Sequence, residues 1–170
     1  MVYHPRKKLF YKVFIFLVLL IALFGYMDSV QIAGWHAVDD PNAFDHYAEG
    51  PQQVYIGLWF IAFLAIGIMW YWFSGDWSET IGIVLSGASM IAFGLLDIFF
   101  FILSPYTMNN TMCWFNNDGA LVGKFSELIG HTCTTTFDLW IFGLIGLVIS
   151  FLIFKYFFYK TPIKRKNPLK

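Results

Sequence analysis

Charge is what this sequence has least of. Only 13% of its 170 residues are Asp, Glu, Lys or Arg, about half the share of a soluble domain. That scarcity excludes a water-soluble globule, because 58% of the chain is hydrophobic and 21% aromatic, more apolar surface than the interior of so small a protein hides. The remainder must face hydrocarbon. Catalytic signatures are missing as well: there is no G-x-S-x-G elbow, P-loop, dinucleotide fingerprint, H-E-x-x-H, EF-hand loop or C-x-x-C. Histidine is scarce, with four residues, and none lies inside an apolar run, which argues against axial haem ligation within a bundle.

The few charges are segregated. Arg6, Lys7, Lys8 and Lys12 stand near the start, and Lys155, Lys160, Lys164, Arg165, Lys166 and Lys170 near the end; Lys124 lies between them, as do all eleven acids. Short basic flanks are retained on the cytoplasmic side during insertion, so both termini are expected there and the number of spans is expected to be even. The basic ends also suit anionic headgroups, at about 1 kcal/mol per cation near the surface. Nothing else extends a basic surface, so nucleic acid is not an expected partner.

Four apolar runs fit that topology, about 9–27, 53–74, 79–104 and 137–159. The expected fold is all-α: a single membrane domain built as a bundle of four transmembrane helices. Lys12 sits near the inner boundary of the first run, where its ammonium can snorkel. A basic start before an apolar stretch also resembles a signal peptide, but the run is long for one and no A-x-A-like site follows it, so it is read as a retained helix. Residues 53–74 carry no charge, and Trp70, Tyr71, Trp72 and Trp77 ring one end in the manner of interfacial aromatics. Trp35, Tyr55, Trp59, Trp114 and Trp140 are expected toward the other face. Two outer loops, 28–52 and 105–136, hold most of the acids and three of the four histidines.

Asp97 is the sharpest anomaly. A carboxylate inside a spanning helix costs about 2.5–3.5 kcal/mol on the lenient insertion scale, so it is expected to face protein or trapped water. At about 100° per residue, Glu79, Ser86, Met90 and Asp97 share one stripe of a continuous helix. That polar seam is either an intramembrane proton or ion site at Asp97 or, as favoured here, a lock between helices. Gly82, Gly87 and Gly94, with Gly143, Gly146 and Ser150 in the last run, provide small faces for close helix approach. Asp76 and Glu79 have the D-x-x-E spacing of a capping box rather than a catalytic pair.

In the first outer loop Asp40-Pro41 reads as a helix start, after which Asn42, Asp45, His46 and Glu49 fall at i, i+3, i+4 and i+7. With His36, and with Glu127, His131 or Asp138 from the second loop, they offer donors for a divalent metal, although no cofactor is strongly implied. Leu121, Val122, Phe125, Leu128 and Ile129 are spaced to share one face of a short helix on the membrane surface or capping the bundle. Cys113 and Cys133 share the second loop. A disulfide between them would close about 20 residues and stabilise by roughly 3 kcal/mol in the chain-entropy model. Asn109-Asn110-Thr111 matches a glycosylation acceptor.

These readings lead to a small tetraspan protein, expected in a prokaryotic plasma membrane, that serves as a structural or accessory subunit. It would pack as a homo-oligomer or within a larger membrane complex and recognise a partner through its acidic outer loops. The alternatives are a proton- or ion-coupled transporter using Asp97 and a membrane enzyme with an outward metal or carboxylate site.

Overall fold

A computed structural model describes residues 5–36, 51–103, 111–113 and 121–160. The expected loop features at 37–50, Asn109-Asn110 and Trp114 lie outside them. The described chain is helical apart from one short ladder. Its elements are α1 Pro5–His36, α2 Pro51–Ser74, α3 Trp77–Ala92, α4 Leu95–Leu103, β1 Thr111–Met112, α5 Leu121–Leu128, β2 Thr134–Thr135 and α6 Thr136–Lys160. Three stretches are long and apolar enough to cross a membrane: Lys8–Val30, Gly57–Ser74 and Thr136–Tyr159. Helices α3 and α4, bent by 63° at their junction, form a fourth passage when taken as one broken span. The molecule is membrane-embedded, and its outer surface agrees: Ile15, Leu19 and Leu23 on α1, Ile61, Leu64 and Ile68 on α2, and Leu144, Val148 and Leu152 on α6 are exposed stripes of large apolar side chains.

Helix α1 runs on past Asp28 to His36, since nothing between them breaks a helix. Asp28 is thereby drawn out of the expected loop and buried on α1.

Close packing follows the small residues. Gly82 of α3 faces α6, where an added Cβ would lie 2.9 Å from Phe157 Cβ, and Ser86 Oγ donates to the Ser150 carbonyl at 2.8 Å. Ser78 Oγ donates to the Phe157 carbonyl, also at 2.8 Å. Gly87 receives the Phe63 ring from α2, and Gly67 receives Val84. Phe10 joins α1 to the far end of α6 through rings whose centroids lie 5.0 Å away at Phe154 and 5.6 Å away at Phe158. The start of α1, the α2–α3 turn and the end of α6 therefore lie together at one end of the bundle, called the turn end below.

The Asp76 half of the expected capping box is made at that turn, while the Asp76 N–H donates to Ser74 Oγ at 3.1 Å. Asp76 Oδ1 accepts from the backbone N–H groups of Ser78 (2.8 Å) and Glu79 (3.3 Å), capping α3. Glu79 is buried, and its carboxylate accepts a hydrogen bond from Trp70 Nε1 at 3.0 Å. Gly75 supplies the positive φ of 66° between the two helices.

The third apolar run departs from the continuous helix expected over 79–104. Phe93 ends α3, and Gly94 takes φ +74°, with its N–H on the Ile91 carbonyl at 3.0 Å. This is the left-handed closure that favours glycine just beyond a helix end. A new helix starts at once, with the Ile98 N–H on the Gly94 carbonyl. The break is pressed onto α6, where Cβ atoms added at Gly146 and Gly143 would collide with Phe93 and Ile98.

Candidate functional site

Two groups of polar residues stand apart from the apolar packing, one at the α3–α4 break and one where α6 begins.

At the break, Glu79, Ser86 and Met90 remain a buried stripe along α3, but Asp97 belongs to α4, on the far side of the 63° bend. The single seam expected from sequence is therefore divided. Its α3 part is used in contacts, Glu79 with Trp70 and Ser86 with Ser150. Asp97 occupies the first turn of α4, where a helix N-terminus favours a carboxylate. Sequence reasoning missed its neighbour. Gly25 of α1 lies so close to α4 that an added Cβ would sit 2.8 Å from both the Leu96 carbonyl oxygen and the Phe100 nitrogen. This approach brings Asp28, three residues on, near enough for its charge to act on Asp97. A near-invisible signal was the spacing Gly25-x-x-Asp28, which places a small residue and an acid on one face.

At the start of α6, Asp138 is fully buried and its Oδ2 is the centre of a network. It accepts from the Thr135 N–H at 2.9 Å and the Ser126 hydroxyl at 3.2 Å, and lies 2.8 Å from His131 Nδ1. Thr135 Oγ1 in turn accepts from the Asp138 N–H at 3.2 Å, which makes Thr135 and Asp138 a reciprocal helix cap. The Ser126 hydroxyl also lies 3.2 Å from Thr134 Oγ1. Asp138 Oδ1 is buried without a hydrogen-bond partner among the described residues.

Covalent and backbone ties surround this network. Cys113, just after β1, and Cys133, just before β2, are at disulfide-bonding distance with Cα atoms 4.4 Å apart. The two strands pair antiparallel, Thr111 with Thr135 and Met112 with Thr134. Helix α5 lies on α6 through Phe125 and Phe142, whose ring centroids are 5.0 Å apart. Its apolar residues are not all buried against the bundle: Val122 is buried with Gly123 and Ser126, while Leu121, Leu128 and Ile129 are exposed. The buried side is chosen by the small residues that let α5 sit close, rather than by apolar spacing alone. Lys124 pairs with Glu127 at 3.0 Å on the outside.

Of the proposed metal donors, His131 and Asp138 come together as a hydrogen-bonded pair. Glu127 is engaged with Lys124. Asp45, His46, Glu49 and the His36 side chain lie outside the described residues. Among the described residues no three His, Cys, Asp or Glu side chains converge on a metal position. No protein-family model matches the chain, and neither a curated protein nor a solved structure matches it.

Proposed function

We propose that the chain is a four-span membrane protein, with both ends cytoplasmic, that acts as an accessory subunit and engages a partner through its outer face. The observation that carries this reading is the build of the cap at the start of α6. A disulfide, a two-residue ladder and the buried Asp138 network fix a platform from which Leu121, Leu128 (84% exposed) and Ile129 project beside the Lys124–Glu127 pair. A rigid mount with exposed apolar residues at its edge is suited to recognition, because little order is lost on docking. The polar groups along α3 support the same reading, since they join helices rather than line a water-filled path. Extraction from native membranes in mild detergent is expected to recover a stoichiometric membrane partner, and Leu128→Arg is expected to lose it while leaving the bundle folded. Recovery of a partner-free monomer from native membranes would overturn the reading.

A second reading, an ion- or proton-coupled carrier, draws on one observation: Gly25, three residues before the buried Asp28, packs directly on α4 beside Asp97 at a helix break. Ionisable residues within membrane spans commonly mark such paths. In that case Asp97→Asn preserves assembly and abolishes proton-coupled flux in proteoliposomes; unchanged flux disposes of it.

A further inference from the structure

Helices α1 and α2 meet in only part of their length. Phe24 stacks on Trp59 with centroids 4.0 Å apart and meets Phe63 edge-on at 5.9 Å. Toward the turn end they separate, leaving a half-open cleft of about 190 Å³ lined by Lys12, Val13, Phe16 and Leu17 of α1, Ile66 and Trp70 of α2, and Ile83 of α3. Val13, Leu17 and Ile83 are buried and form its floor, while Phe16 is exposed at its rim. The volume is below the roughly 300–1,000 Å³ of pockets for compact small molecules and suits a segment of one extended hydrocarbon chain.

The polar groups at the cleft are placed for a headgroup. Lys12 is its one charged lining residue and is exposed. It stands four residues into the apolar stretch that begins at Lys8, and Trp70 stands four residues before the stretch that ends at Ser74. Both are thus about 6 Å inside the span boundary at 1.5 Å rise per residue, within snorkelling reach of the headgroup layer. Trp70 is fixed as a wall by its hydrogen bond to buried Glu79. An apolar slot edged by one lysine, whose stem lines the slot and whose ammonium can snorkel outward to the phosphate layer, distinguishes its ligand by charge.

We infer that this cleft is a binding site for one anionic glycerophospholipid, with an acyl chain lying between Phe16 and Ile66 and the phosphate paired with Lys12. The site depends on the membrane placement of the helices and not on the accessory role. It is tested by native mass spectrometry of the full chain, delipidated and then titrated with dioleoylphosphatidylglycerol or dioleoylphosphatidylcholine. One phosphatidylglycerol is expected to be retained in preference to phosphatidylcholine by about fivefold, the weight of one lysine at an anionic surface. Lys12→Gln is expected to erase the preference, whereas Lys155→Gln, an exposed cation of α6, leaves it intact. Ile66→Trp, which fills the slot, is expected to reduce retention of both lipids. Equal retention of the two lipids by the unmodified chain, a preference that survives Lys12→Gln, retention unaffected by Ile66→Trp, or a dimer that carries no lipid would each overturn the site.

Discussion

Asp138 shows how one buried carboxylate can organise its surroundings. A carboxylate out of water is tolerated only when donors replace its hydration, and here a backbone N–H, a hydroxyl and an imidazole converge on Oδ2. Asp138→Ala removes the acceptor and strands the Thr135 N–H, while the Ser126 hydroxyl keeps the Val122 carbonyl at 3.0 Å. The expected loss is about 1–3 kcal/mol, read as a lowered thermal midpoint of tryptophan fluorescence in detergent. His131→Gln is expected to have a smaller effect, because His131 is exposed and water can replace it. The sequence marked both residues as donors for a metal but could not show that they meet each other. Their seven-residue separation spans a turn and the two-residue strand, neither of which has an apolar period to read. Asp97 was legible as an anomaly from its place in an apolar run. Its neighbour Asp28 was not, because it falls at the edge of the run, where the helix can either continue or give way to the outer loop.

Elements in this fold are spaced by glycine, and the cost of filling each gap differs. At Gly25 the obstruction is the backbone of α4, which cannot rotate away. At Gly57 an added methyl meets nothing within 4 Å. Gly25→Ala is therefore expected to destabilise by about 1–3 kcal/mol through overpacking, whereas Gly57→Ala gains up to about 1 kcal/mol of helix propensity. Thermal midpoints of the two variants measured side by side would decide the matter, and equal shifts would refute this account of the α1–α4 contact. Small faces on α3 and α6 could be anticipated from Gly82, Gly87, Gly143 and Gly146, because nothing but close approach explains glycine in a helix. The break at Phe93–Gly94 could not. Gly94 among apolar residues reads equally as a packing position or a helix end, and only the left-handed backbone separates the two.

For the whole molecule, solvent explains most of what the sequence made plain. Long uncharged runs define the membrane-crossing helices, and the same hydrophobicity hides their packing order, since lipid-facing and helix-facing positions are equally apolar. The disulfide was legible because two cysteines in one loop leave one pairing. Its structural work was not, since the ladder beside it has only two residues on each strand. Replacing Cys113 and Cys133 with Ser is expected to lower the stability of the cap by roughly 3 kcal/mol for a loop of this length. Hydrogen exchange should then quicken across α5 while the α3–α6 contact around Ser86 and Ser150 stays protected; uniform quickening would mean that the cap and the bundle unfold as one.

The kink at Phe93–Gly94 also limits how the protein can move. With Phe93 and Ile98 seated against the glycines of α6, sliding the kink along that helix would drive these side chains out of their seats, and with Gly25 tight against α4, displacing α4 would press on α1. Pinned at these two places, α1 and α4 stand as one unit against α6, and that unit forms one wall of the gap beside α2.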